Sequence, residues 1–333
     1  MNGTASPAKK TYTGLDVGKF LAALLVLTLH VHPLSANASG DFWLSCLCRI
    51  AVPFFFITSS YLFYKRGGDI RKYVFRILIL YAVWFVLEAP LTFHRFFIAP
   101  DKPFSYNLLI FLRGLAVNST FYASWFLTAS WQGMLIVWWL SKKMNRTWLT
   151  VIGLLCFLST LPGTMWYGLI SGTPVRPIYW FYNMVLCPAN SFIVAIPYCI
   201  LGKFLAESKR EMPKKTLLLF LAVACLFSVV EAGICKDSYW MSDTYLGLLF
   251  LSPLLVSLMA KTEVPIGTET SRCLRSMSTL IYLSHLPIRY LFTSTLHLPE
   301  GGRLLILTLA ASLVFSLAVF LLSRRVRLLR YLY

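Results

Sequence analysis

Ten runs of about 20 mostly apolar residues recur along the chain, at 15–35, 43–64, 73–93, 121–141, 147–166, 186–206, 215–235, 240–260, 276–296 and 302–323. A helix rising about 1.5 Å per residue needs about that length to cross the ~30 Å hydrocarbon core of a bilayer. Inside a bilayer a helix satisfies its own backbone hydrogen bonds, and few other structures do. The recurrence therefore predicts an all-α, polytopic transmembrane helical bundle of about ten spans. Charged residues make up only 13% of the chain and hydrophobic ones 58%, whereas a soluble domain carries about a quarter charged residues.

The net charge of +18 would suggest nucleic acid in a soluble protein. In a membrane protein it must be read loop by loop, because Lys and Arg collect in cytoplasmic loops. An even number of spans places both termini on one side. With that side cytoplasmic, the inner loops hold "YKRGGDIRK", "SKKMNR", "ESKREMPKK" and "KTEVPIGTETSRCLR", and the end of the chain reads "SRRVRLLRYLY". The expected organisation is a cytoplasmic N-terminal tail over 1–14, one membrane domain over 15–323 and a basic cytoplasmic tail over 324–333. Trp43, Trp166, Trp180 and Trp240 fall near outer ends of spans, and Trp138, Trp139 and Trp148 near inner ends, as interfacial anchors do. Lys9, Lys10 and the "ANA" at 36–38 imitate a signal peptide, but the first apolar run exceeds the usual core of about 7 to 15 residues. The eight cysteines lie mostly within apolar runs and form no zinc-ligand pattern, Cys46 and Cys48 included, so no metal is expected.

Ionisable residues inside spans are costly and mark candidate functional positions. The first span, "GLDVGKFLAALLVLTLHVH", is the densest. Lys19 and His30 are 11 residues apart, close to three helical turns, which puts them on one face about 16 Å apart along the axis. Asp16 shares that face. Asp16 and Lys19 also fit a helix-end pair snorkelling to the inner surface, with His30 and His32 marking the outer boundary. A near-neutral imidazole at His30 in a partly apolar site is suited to take a proton from a hydroxyl. In the second span Arg49 precedes Pro53 and needs a carboxylate or freed carbonyls as partner. Arg76 lies deeper than the other basic residues of its turn and suits a phosphate-rich ligand. His285 and Arg289 share a face of the ninth span. Glu88 and Glu231 are in-span acids and candidate partners for the arginines.

The order of D-x-x-K-(x)10-H in the first span, R-x-x-x-P-F-F-F and "SSYLFYKR" in the second, a basic turn leading to Arg76, "SWFLTA", "IPYCILGKFLAE" and "STLIYLSHLPI" resembles the acyltransferase 3 family of integral membrane acyltransferases. The resemblance covers about 15–323. It implies that His30 matches the histidine considered essential for acyl transfer, and that Arg49, Arg76 and Trp125 matter. At the position of Lys19 the family commonly has arginine. Lysine keeps the charge and loses the planar fork. Some relatives add an SGNH-type esterase domain and others resemble the membrane part of vancomycin-resistance serine racemases; neither extra domain is expected within these 333 residues.

The function so implied is a membrane O-acyltransferase. It would move an acyl group, acetyl by preference, from cytoplasmic acyl-CoA as co-substrate to a hydroxyl of a glycan, lipid-linked saccharide or small-molecule acceptor at the outer side. In this reading His30 is catalytic, and Asp16, Lys19, Arg49, Arg76, Trp125 and His285 bind substrate. The expected setting is a bacterial cytoplasmic membrane, with the bilayer, the acyl-CoA, the acceptor and a second copy of the chain as partners, and no nucleic acid. The competing class is a small-solute transporter, for serine or an acylated product, which explains intramembrane charge equally well. A haem or quinone protein built on facing histidines is a third.

Overall fold

Pro53 decides how the second apolar run folds. It has no N–H to give the carbonyl of Arg49 four residues back, so a helix arriving from the N-terminal side ends there. The computed structural model, which describes residues 11–98, 102–121, 124–210, 212–239, 241 and 243–333, breaks that run into α2 (Ala38–Cys48) and α3 (Ala51–Lys65). The span expected over 43–64 stays one crossing segment, Ala38–Lys65, with its helix interrupted at Arg49 and Ile50. Around them stand α1 (Thr13–Val31), α4 (Ile70–Phe93), α5 (Phe104–Ala116), α6 (Trp125–Leu140), α7 (Arg146–Leu158), α8 (Val175–Leu186), α9 (Phe192–Glu207), α10 (Lys214–Cys235), α11 (Gly247–Ala260), α12 (Thr268–Thr295) and α13 (Gly302–Leu322). No strand occurs among the described residues.

A helix overlies each of the ten apolar runs. By length and apolarity six segments among the described residues are able to cross a membrane: Thr13–Val31, Ala38–Lys65, Ile70–Ile98, Arg146–Gly163, Lys214–Cys235 and Gly302–Leu322. The pair Val175–Asn190 and Phe192–Glu207, bent by 41°, makes a seventh if taken as one span. α12 misses this set although it has 28 residues, because it is too rich in polar residues; of these, Ser271, Ser276, Ser278, Ser284 and His285 are buried. α5 and α8 fold in the two longest gaps between apolar runs, 94–120 and 167–185.

α1 lies at the centre, touching α2, α3, α11, α12 and α13. Its Leu15, Ala23, Val26 and Leu27 join Phe54 to Ile57 of α3, Ala195 and Tyr198 of α9 and Leu280 to Leu283 of α12 in one apolar core. α3 and α9 approach closely at Gly202, where a Cβ would fall 2.5 Å from the Ile57 carbonyl oxygen and 2.6 Å from Ser60 Cβ. Small residues at such crossings let helix backbones meet when surrounding lipid supplies no hydrophobic drive between helices.

α1 and α12 run parallel in a constant register. Asp16 meets Ser271, 255 positions further along the chain, and His30 meets His285 at the same separation. The two contacts are about 21 Å apart along the helices, which fixes α1 and α12 as a pair pointing the same way.

Two expectations change at the periphery. α11 begins at Gly247 rather than near 240, because the Glu231 carboxylate accepts the Leu246 and Gly247 N–H groups, each at 2.7 Å, and so sets the helix start. Residues 324–333 do not trail away as a solvated tail. Leu329, Leu332 and Tyr333 pack on the main core, the Leu332 carbonyl accepts Trp84 Nε1–H at 3.1 Å, and the Tyr333 and Ser323 hydroxyls lie 2.7 Å apart. Among the expected interfacial tryptophans, Trp139 and Trp148 are exposed on the bundle surface. Trp166 instead turns inward to Glu231, and Trp240, like Lys9 and Lys10, lies outside the described residues.

Candidate functional site

The α1 stripe that the sequence singles out is divided among three partners. Asp16, 3% exposed, accepts Arg275 Nε–H at 2.9 Å on one oxygen, and Arg275 Nη2–H and Ser271 Oγ–H, both at 2.6 Å, on the other. This fork-to-fork pairing has the geometry that makes arginine the usual partner of a carboxylate. Asp16 is therefore a positioning group for a cation on α12 and is not open to a ligand itself. Lys19, one turn along, makes no hydrogen bond or ion pair with another described residue.

Lys19 faces a cavity of about 230 Å³ together with Arg76 of α4 and Arg275 of α12. Tyr73, Tyr282 and Tyr333 and the hydroxyls of Ser59, Ser130, Ser278 and Thr279 also line it. Three cations around one cavity in an apolar bundle call for an anion, since their mutual repulsion is relieved only by a carboxylate or a phosphate. Asp16 answers Arg275. Lys19 and Arg76 remain without a hydrogen-bonded partner among the described residues, which leaves their donors directed at the cavity.

About 16 Å from Lys19 along α1, the rings of His30 and His285 stack, with centroids 5.3 Å apart and planes 28° apart. His285 is fully buried. Its Nδ1 lies 3.1 Å from the Ile281 carbonyl oxygen, which only accepts, so Nδ1 carries the proton and Nε2 presents its lone pair when the ring is neutral. Nε2 has no hydrogen-bond partner among the described residues. Tyr282 joins the two regions: its ring lies 6.1 Å from that of His285, and it also lines the cation cavity.

Arg49 and Trp125 come together beside Leu29, the residue before His30. They line a small cavity of about 30 Å³ with Leu29, Pro53, Asn190, Tyr198 and Asp243. Arg49 pairs with Asp243, so the carboxylate partner comes from the irregular segment before α11 and not from Glu88 or Glu231. Glu231 accepts Trp166 Nε1–H as well as the two backbone N–H groups of α11, all at 2.7 Å. Glu88 is buried, and its Oε2 has no partner among the described residues. Arg289 reaches Glu300 at 2.5 Å. His32 ends α1 in a left-handed conformation, φ +50°, and meets Asp41 at 2.9 Å, consistent with a boundary role. Among the described residues no group of three or more His, Cys, Asp or Glu could hold a metal ion.

The structure thus brings Lys19 and Arg76 to one cavity and His30 and His285 to one stack. Arg49 and Trp125 share a second cavity. Arg275 and Asp243 complete the arrangement, and neither stands out in the sequence. Arg275 sits in a basic segment that reads as loop charge. Its one signal is its place on a stripe with Thr279, Tyr282 and His285, visible only once the segment is known to be helical.

An apolar bundle that keeps cations around a cavity at one level of a central helix and a histidine pair at another is a polytopic membrane protein with an internal polar site. An acyltransferase domain of the acyltransferase 3 type matches residues 12–325, and the chain belongs to that family. An amino-acid racemase of Enterococcus faecalis is 26% identical over 228 residues, 65% of this chain and 31% of its own length. A serine/alanine racemase of Enterococcus gallinarum is 27% identical over 223 residues, 62% of this chain and 31% of its own. The chain spans about a third of the length of these curated relatives. No solved structure matches it.

Proposed function

We propose that the protein is a membrane O-acyltransferase that takes an acyl group, acetyl by preference, from cytoplasmic acyl-CoA and delivers it to a hydroxyl of a glycan, lipid-linked saccharide or small-molecule acceptor at the outer side. The observation that carries this reading is the division of α1. Lys19 stands at a cation-lined cavity and His30 at a histidine stack, on one helix. The first suits the phosphates of a donor, and the second suits a hydroxyl that must lose a proton. The reading takes the bundle as ten spans with both termini cytoplasmic in a bacterial cell membrane, and the shared direction of α1 and α12 agrees with first and ninth spans of such a topology.

The chemistry follows from these groups. His30, as general base, accepts the proton of the acceptor hydroxyl while its oxygen attacks the thioester carbonyl. The new C–O bond forms, the C–S bond breaks, and the departing thiolate recovers the proton from the imidazolium. Lys19 and Arg76, with Arg275 held by Asp16, take the donor phosphates. Arg49, Trp125 and His285 shape the acceptor end, where a cation also stabilises the developing oxyanion. Purified protein given labelled acetyl-CoA and cell-envelope acceptors should transfer label. Undiminished transfer by His30→Ala would overturn the assignment.

A second reading is favoured by the racemase-named relatives: a membrane unit that moves an amino acid such as serine. It predicts serine flux into vesicles without acyl-CoA and no thioester consumption, so the two readings separate in one vesicle assay.

A further inference from the structure

A second basic cavity, larger than the one at Lys19, is used by neither reading. It measures about 490 Å³ and lies between the lead-in to α1, the C-terminal ends of α3, α9 and α11, and the start of α10. Among the described residues four cations line it, Lys65, Arg210, Lys214 and Lys261, against one carboxylate, Glu263. The wall beyond the charges is mixed: Leu205, Met212, Leu217, Val256 and Ala260 make an apolar part, and Tyr12, Tyr61, Ser208 and Ser257 also line it. Lys65 Nζ–H points to the Ala206 carbonyl at 3.4 Å and Lys261 Nζ–H to the Met212 carbonyl at 2.9 Å, which fixes both ammonium groups at the rim. The side chains of Arg210 and Lys214 make no hydrogen bond or ion pair with another described residue.

Loop charge alone, placed for topology, would explain basic residues here. It does not explain why four of them, from the end of α3, two connecting segments and the start of α10, converge on one cavity that also has an apolar part to its wall. We propose that this cavity binds a phosphate ester, with Arg210 and Lys214 taking the phosphate oxygens and Lys65 and Lys261 closing the rim. The apolar part of the wall makes an anionic phospholipid the source that fits best, its headgroup on the cations and its chains along Leu205, Met212 and Ala260. Basic pockets between transmembrane helices recognise anionic headgroups in this way. A soluble nucleotide phosphate shares the headgroup chemistry but has no use for the apolar part of the wall. The site is independent of which reading of the function holds.

The test uses the purified full chain in neutral detergent, titrated separately with short-chain phosphatidylglycerol, short-chain phosphatidylcholine and adenosine 3′,5′-bisphosphate, with retention read by native mass spectrometry. Phosphatidylglycerol should be retained over phosphatidylcholine. Arg210→Gln with Lys214→Gln should weaken that retention about tenfold. Arg325→Gln with Arg327→Gln, which removes the same charge elsewhere, should leave it unchanged. If the bisphosphate alone is retained and the Arg210 and Lys214 pair governs it, the phosphate-ester site stands and its source is a soluble nucleotide. Equal retention of every probe by the wild type and both double variants overturns the proposal. The replaced side chains are exposed, so the variants should fold, and a melting curve checks this.

Discussion

His30 and His285 stack at 5.3 Å across two parallel helices whose register is fixed about 21 Å away by the Asp16 contact to Ser271. The histidine pair is therefore held from a distance. α12 cannot slide along α1 without breaking both contacts, so the cation cavity and the histidine stack keep a constant separation. A reaction that needs a donor gripped at one point and a hydroxyl activated at another requires that constancy.

The stack predicts unequal effects at its two rings. His30→Ala should lower acyl transfer by about 100-fold or more, the range lost when a general base is removed. In the proposed reaction His285 shapes the acceptor end, and with Nδ1 committed to the Ile281 carbonyl it offers only Nε2 toward the site. His285→Ala should lower kcat about tenfold with donor KM unchanged. His285→Asn, which keeps a polar group and part of the volume, should recover part of it. Steady-state kinetics in detergent checks both, and equal rates for the Ala and Asn variants would show that the ring serves packing alone.

Asp16→Asn should destabilise the bundle. The change removes the charge that answers Arg275 on a carboxylate that is 4% exposed against a guanidinium that is 43% exposed at the side chain. Breaking a fully buried pair costs about 3–5 kcal/mol; with one partner nearly half exposed, about 1–3 kcal/mol is expected. Thermal melting of Asp16→Asn, Arg275→Gln and the double variant should give a coupling energy above about 1 kcal/mol. Additive losses would show that Ser271 alone holds the carboxylate.

Asp16 also shows how far the sequence carries and where it stops. Its face, shared with Lys19 and His30, is legible because helical periodicity is local, and the apolar runs are legible because a bilayer demands them. The partners are not. Arg275 is 259 residues from Asp16 and Asp243 lies in an irregular segment, and no spacing rule connects residues that meet only after helices pack. The reassignment of Glu231 has the same origin: an in-span acid invites an arginine, but here the start of α11 offers two N–H groups and Trp166 a third. The break at Arg49 is signalled by Pro53. Only the fold shows that the freed turn admits Asp243.

Glu231→Ala should separate stability from chemistry. It strips three donors, Trp166 Nε1 and the Leu246 and Gly247 N–H groups, of an acceptor inside the bundle. At about 1–3 kcal/mol for each buried donor left unsatisfied, with partial relief by rearrangement, a loss of about 3 kcal/mol is expected. The unfolding midpoint in detergent should fall, while transfer per folded molecule stays within about twofold of wild type, since Glu231 belongs to neither the cation cavity nor the histidine stack. Loss of transfer without loss of stability would place Glu231 in the reaction.

Lys19 gives the sharpest test of the donor site, because it faces the cavity with no hydrogen-bonded partner among the described residues while Arg275 beside it is already engaged by Asp16. A cation that only holds a phosphate contributes to binding in the ground and transition states alike, so its loss raises KM and leaves kcat in place. Lys19→Gln should therefore raise the acyl-CoA KM about tenfold, the scale of one charge-assisted hydrogen bond, with kcat within about twofold. Lys19→Arg restores the planar fork and should match or lower the wild-type KM, provided the cavity of about 230 Å³ takes the longer side chain. Higher salt should narrow the gap in KM between the wild type and the Lys19→Gln variant if the interaction is partly exposed. A fall in kcat with KM unchanged would move Lys19 out of donor binding and into the stabilisation of charge that develops during transfer.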